Sequence, residues 1–181
     1  MATFTERMIG AAKLDVETYE EVEADTTATG QAMLVVVLSS VAAGIGALGS
    51  MGIVGLLIGT IAALVGWFIW AGLIFIIGTK ILPEPQTEAD MGQLLRTIGF
   101  ASSPGILRLL GFIPVLGTAL SFAVAIWMLV ATVVATRQAL DYKSTGRAVA
   151  VCAIGFVVYL VVSVVIGSIV GLGAMAAAGV S

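Results

Sequence analysis

Polar and apolar positions divide the chain into a short amphipathic beginning and a long apolar remainder. In the first 30 residues Phe4, Met8 and Ala11 recur at helical intervals. Thr3 followed by Glu6 has the spacing of a capping box. An acidic stretch follows, Asp15, Glu17, Glu20, Glu21, Glu23 and Asp25, with Val16, Tyr19 and Val22 on one stripe. The pattern predicts a helical N-terminal arm over 1–30, and two readings of it stand. It is either a solvated amphipathic helix lying beside a bundle, or an interfacial arm that offers an acidic docking surface.

The remainder, 31–181, reads as one transmembrane domain. A hydrocarbon core of about 30 Å needs about 20 helical residues. Spans are expected at 31–48 and 53–78, joined by a Gly-rich turn around Gly49 and Gly52. The second span exceeds the need, so it should tilt or end with Lys80 reaching to the headgroups. Pro83 and Pro85 mark a loop, and Thr87 with Asp90 can cap a short helix carrying Met91, Leu94, Leu95 and Ile98 on one face. That spacing suits a second interfacial helix. Ser103-Pro104 restarts a helix, with serine as N-cap and proline at the first helical position. Division at Pro114 or Gly117 gives spans at 104–117 and 118–138, and 148–171 is the last. The alternative for 104–138 is a re-entrant hairpin. The expected fold is an all-α polytopic transmembrane bundle of five spans.

Composition agrees with this reading. Of 181 residues, 60% are apolar and 10% charged, against about 45–50% and about 25% in soluble domains, and mean hydropathy is +1.14. The absence of histidine excludes imidazole chemistry, and the single cysteine, Cys152, allows neither an internal disulfide nor a thiolate metal site. No elbow, P-loop or metal-ligand motif occurs, so neither an enzyme nor a cofactor is expected. The net charge of −3, with most acid near the N-terminus, argues against nucleic acid. The first 25 residues hold no apolar h-region, so no cleaved signal peptide is expected. Seven of eight basic residues fall in the arm, the 79–104 loop and the 137–147 loop, and Arg108 is expected on the same side. The positive-inside rule then places the N-terminus in the cytoplasm and the C-terminus outside.

The spans contain no carboxylate, which argues against an ion-coupled transporter. Small residues form ladders instead: Gly55, Gly59 and Ala63 on the second span, and Ser163, Gly167 and Gly171 on the last. Such ladders serve packing within one bundle or between copies. Trp67, Trp70, Trp127 and Tyr159 fall near mid-span rather than at interfaces, so they either fill the bundle core or line a cavity for a lipid or small molecule. Ser39, Ser40, Thr60 and Ser163 can bond carbonyls of their own helices. Lys80, Arg96, Arg108, Arg137, Lys143 and Arg147 are candidate headgroup contacts, each worth about 1 kcal/mol at an anionic surface.

The runs Asp25–Val36 (DTTATGQAMLVV), Gly99–Gly117 (GFASSPGILRLLGFIPVLG), Ile126-Trp127 and Ser144–Val149 (STGRAV) resemble the bacterial branch of the Yip family. The family takes its name from eukaryotic proteins that interact with Ypt/Rab GTPases. The resemblance implies five transmembrane helices, a cytoplasmic N-terminus and self- or hetero-association in membranes, here the bacterial cytoplasmic membrane. Eukaryotic members are connected with vesicle formation and early secretory traffic. This chain lacks their Asp-Leu-Tyr-Gly-Pro type motif, so a Rab GTPase partner is not carried over. The expected function is a non-enzymatic membrane scaffold or adaptor with lipids, copies of itself or other membrane proteins as partners. The alternatives are a passive channel or lipid-handling protein, and an accessory subunit of a larger complex.

Overall fold

In the computed structural model, which describes residues 2–46, 48–113 and 116–178, no strand occurs among the described residues. The arm folds as α1 (Phe4–Ala12) and α2 (Val16–Ala24). Thr3 caps α1 as its spacing predicts. Its hydroxyl accepts from the Glu6 amide at 3.3 Å, and the Glu6 carboxylate accepts from the Thr3 amide at 2.7 Å. Leu14, at φ 64°, turns the chain into α2. The Arg7 guanidinium ties α1 to α2 and to the first apolar helix, donating to Gln31 and Glu21 at 3.0 Å and to Asp25 at 2.7 Å.

A 3₁₀ turn at Thr26–Ala28 leads into α3 (Thr29–Gly46), and α4 (Leu48–Ile76) returns. Gly52 breaks α4 at φ 62° and ψ −175°, a backbone conformation that an L side chain resists. This is the turn that the glycines at 49 and 52 predict. A π-helical turn, Ile77–Ile81, extends α4 toward the loop. That loop is latched to the next one: the Tyr142 hydroxyl donates to the carbonyls of Gly78 at 3.0 Å and Leu82 at 2.6 Å, and Arg147 pairs with Glu84 at 3.3 Å.

α5 (Met91–Phe100) starts at Asp90, whose carboxylate accepts from the Gln93 amide at 2.9 Å while the Gln93 side chain accepts from the Asp90 amide at 2.6 Å. Thr87 has a different task, accepting from the Glu84 amide at 2.9 Å. The expected interfacial position is corrected: Leu94 to Phe100 are all buried, and α5 is wedged among α2, α3, α4 and the later α6 (Leu116–Ala139). A 3₁₀ segment, Ser103–Phe112, comes next, with Pro104 in its first turn. Ser103 does not cap it; its hydroxyl donates to the Phe100 carbonyl at 2.7 Å. α7 (Thr145–Ala178) is the last helix among the described residues.

Four helices among the described residues are long and apolar enough to cross a membrane: Thr26–Gly46, Gly52–Ile81, Gly117–Ala139 and Thr145–Val165. Their length and composition make this an integral membrane protein. The expected pass 104–117 is not among them. Proline and two glycines in Pro104–Gly111 leave it a ten-residue 3₁₀ segment about 20 Å long. It runs beside α3 in continuation of α5. Gly99 lies against Ala32, Gly105 against Ser39, and Gly111 against Gly46.

Burial divides the bundle into two ends. Where α1, α2 and α5 pack around the beginning of α3 and the adjoining ends of α4, α6 and α7, the core is closed by Tyr19, Val22, Val35, Ile74, Leu94, Phe100, Leu140 and Val151. Toward the other end the helices present Ile53, Phe122 and Val164 outward, each at least two-thirds exposed, as lipid-facing surfaces do.

Candidate functional site

Where the closed core ends, the helices separate around a cavity of about 720 Å³. Its floor is aromatic. Trp67 and Trp70 come from α4 and Tyr159 from α7, with the Trp70 and Tyr159 rings edge to face at 6.1 Å and 83°. Trp67 is fixed by an indole hydrogen bond of 3.1 Å to the Leu95 carbonyl of α5. The wall from α4 is the ladder Gly55, Gly59, Ala63 and Gly66. A Cβ built on Gly59 would meet nothing within 4 Å, so this ladder borders the cavity instead of seating a neighbouring helix. Opposite stand Val36, Ser39, Ser40 and Ala43 of α3, with Ser102 and Arg108 closing the side toward the 3₁₀ segment.

The polar groups of the lining fall into two sets. The hydroxyls of Ser40 and Thr132 donate to carbonyls of their own helices, Val37 at 2.9 Å and Met128 at 2.8 Å. Ser39 does not follow that expectation: it is 5% exposed, and its hydroxyl has no hydrogen-bond partner among the described residues. Gly105 faces it, and a Cβ there would collide with the hydroxyl. The Arg108 guanidinium likewise has neither a hydrogen bond nor an ion pair among the described residues. Both groups line the cavity; the side-chain atom buried without a partner among the described residues is the Arg7 Nε at the packed end.

The sequence candidates separate accordingly. Trp67, Trp70 and Tyr159 meet at the cavity, whereas Trp127 is 38% exposed and donates to the Ala12 carbonyl at the end of α1, 2.8 Å away. Ser163 lies in a second groove of about 610 Å³ between α4 and α7, lined by Ile58, Ile61, Val65 and Val162; the surroundings of Gly167 and Gly171 lie outside the described residues. Of the basic candidates, Lys80 and Lys143 are exposed. Arg96 is 5% exposed and donates from Nε to the Val22 and Glu23 carbonyls at 3.0 Å, which ties α5 to α2 and takes it away from any headgroup. Arg137 donates to the Tyr142 carbonyl at 3.1 Å, and Arg147 to that of Pro83 at 2.7 Å. Arg108 is beside Gly46, at the end of α3, and not on the starting side that the charge distribution predicts.

A smaller polar pocket of about 450 Å³ lies at the packed end among Glu20, Glu23, Gln93, Arg137, Gln138, Asp141 and Lys143. Burial there, and then the Asp141 carboxylate, push the Glu23 carboxyl up to about 7, while Arg96 opposes the shift. Nearby carboxylates move the other way. Hydrogen bonds from Thr27 and then Arg7 bring Asp25 down to about 2, and the Lys143 amide holds Glu84 below its ordinary range. No group of three or more His, Cys, Asp or Glu that could hold a metal occurs among the described residues.

Ser102 and Gly66 are lining residues that the sequence pattern did not single out, and Ser39, expected to bond within its own helix, shares the lining α3 face with Val36, Ser40 and Ala43. Comparison with known families matches residues 16–178 to the Yip1 domain. No curated protein and no solved structure matches the chain.

Proposed function

This chain belongs to the Yip family, and on that premise we propose that it is a non-enzymatic membrane protein whose bundle holds a membrane lipid in the cavity between α3, α4, the 3₁₀ segment and α7. The observation that carries this reading is the lining itself: a long apolar wall of small residues and aromatics, with the Ser39 hydroxyl and Arg108 guanidinium, which have no partner among the described residues, on one side. A volume of about 720 Å³ falls in the range of about 300–1,000 Å³ typical of ligand sites. In this reading α5 and the 3₁₀ segment form the third of five passes. The arm and the Lys80 and Lys143 loops face the cytoplasm of a bacterial cell, and the C-terminus lies outside. The scaffold role retains the exposed α4–α7 groove as a surface for a second copy, but the ladder Gly55, Gly59 and Ala63 that favoured it borders the cavity.

Native mass spectrometry of the protein extracted with minimal detergent tests this. The wild type should carry one lipid, and Gly59→Phe, which fills the cavity, should lose it, while the outward-facing control Leu57→Phe keeps it. Equal lipid occupancy in Gly59→Phe and wild type, with unchanged melting, would overturn the reading.

A further inference from the structure

We propose that Arg108 receives the phosphate of an anionic glycerophospholipid, which enters at the end of the bundle opposite the N-terminal arm and lays one acyl chain along the α4 ladder. This rests on the cavity reading above and adds the headgroup class and the direction of the lipid.

The direction follows from neighbours. The backbone of Arg108 lies against Gly46, the last residue of α3, and Gly44 lies against Leu56, near the beginning of α4 after the Gly52 turn. Arg108 therefore sits at the end of the cavity where Gly55 begins the ladder, and Trp67, Trp70 and Tyr159 close the other end. From Gly55 to Trp70 is about 22 Å along a helix at 1.5 Å per residue. One leaflet offers about 15 Å of hydrocarbon, so a headgroup at Arg108 leaves depth for a full chain. Ser39 faces Gly105, one 3₁₀ turn or about 6 Å deeper than Arg108. A donor at that depth below the phosphate meets the ester carbonyls that join chain to glycerol.

The headgroup class follows from charge. Guanidinium matches phosphate oxygens in geometry and stays charged when desolvated. No Asp or Glu occurs between Asp25 and Glu84, between Asp90 and Asp141, or after Asp141. The helices around the cavity thus supply a cation and hydroxyls, and no carboxylate to receive the ammonium of a zwitterionic headgroup. A net-negative lipid leaves no charge unpaired, whereas a zwitterionic one leaves its own cation without a partner.

The test offers the full chain an equimolar mixture of phosphatidylglycerol and phosphatidylcholine with identical acyl chains, read by native mass spectrometry. Wild type should retain phosphatidylglycerol about tenfold over phosphatidylcholine. Arg108→Gln should bring that ratio to near one without lowering phosphatidylcholine binding, and Arg108→Lys should restore most of it. Millimolar glycerol 3-phosphate should not displace the lipid, since the chain supplies most of the contact; displacement would overturn the assignment to a lipid. An unchanged ratio in Arg108→Gln, with lipid still lost in Gly59→Phe, would overturn the headgroup assignment alone. Lipid retained in Gly59→Phe would overturn the cavity reading beneath it. The Arg108 side chain bonds nothing among the described residues, so the variant should elute and melt as wild type does.

Discussion

The two ends of the bundle solve opposite problems with the same helices. At the packed end α1, α2 and α5 fill the space between the longer helices, and polar side chains tie the elements together: Arg7 on Glu21, Asp25 and Gln31 (its Nε alone buried without a partner among the described residues), Arg96 on the α2 carbonyls, Tyr142 on Gly78 and Leu82. At the open end small residues face a cavity, and the Ser39 hydroxyl and Arg108 guanidinium have no partner among the described residues. The difference teaches that the short helices carry the packing of the fold, whereas at the open end the long helices border a cavity that none of them fills. Apolar burial against water drives association only where water is the competing solvent, and in lipid the remaining force is close packing.

The largest expected effect tests that division directly. Leu94 is fully buried in α5, and Leu94→Ala should cost about 2–5 kcal/mol through lost contacts and a residual cavity. Ile58, 62% exposed on α4, should tolerate Ile58→Ala within about 0.5 kcal/mol. Reversible unfolding in mixed micelles, followed by tryptophan fluorescence, measures both. Equal losses would mean that the open end is as tightly held as the packed one, and the comparison would fail.

A smaller effect, on the order of 1 kcal/mol once solvent screening of a half-buried group is allowed for, should appear as pH changes. Glu23 faces Glu20, Asp90 and Asp141 as well as Arg96, with Arg137 and Lys143 around the same pocket. Its folded-state value of about 7 lies above the ordinary 4.5, so the folded arm binds the proton more tightly than the unfolded one does. The resulting stabilisation is complete below pH 4.5 and is lost as pH rises through about 7. Asp25 is shifted the other way, and its contribution disappears only in strong acid. Amide exchange in α2 should therefore be faster at pH 8 than at pH 5.5 after correction for intrinsic rates, and Glu23→Gln should remove most of that difference. An α2 whose protection is flat with pH in the wild type would sink this account.

What was legible in the sequence was whatever a local pattern determines. The Thr3–Glu6 cap, the break at Gly52 and the extents of α3 and α6 all follow from capping chemistry, glycine or apolar length, whereas α5 starts at an Asp90–Gln93 box and not at the expected Thr87. Of the four aromatics placed near mid-span, Trp67, Trp70 and Tyr159 meet at the cavity. What was not legible depends on partners distant in the chain. The apolar stripe of α5 reads as one lipid-facing side, yet the helix is covered all round because α2 supplies carbonyls for Arg96 and α3 comes close enough to touch Gly99. The apolar stretch after Pro104 reads as a short span, since hydropathy does not distinguish an α-helix from a 3₁₀ segment. Arg108 reads as lying on the starting side until the path of that segment beside α3 is known. Trp127 reads as one of a mid-membrane group, but the carbonyl it bonds belongs to α1.

The small-residue ladder shows the same ambiguity and yields the smallest effect. Glycines four apart satisfy two demands, close helix contact or an unobstructed wall, and the sequence is identical in either case. The surroundings distinguish them. A Cβ on Gly99 would stand 2.7 Å from the Ala32 Cβ, which forces α3 and α5 apart, so Gly99→Ala belongs with the destabilising core changes. A Cβ on Gly59 meets nothing within 4 Å, and alanine is favoured over glycine inside a helix by roughly 0.5–1 kcal/mol. Gly59→Ala should therefore leave stability unchanged or raise it by less than about 1 kcal/mol, measured by the same unfolding assay, and one methyl group should not displace a bound chain. A loss of more than that would mean that Gly59 seats a helix after all, in a second copy if not in this one, and the open end would then be an interface between chains rather than a wall for lipid.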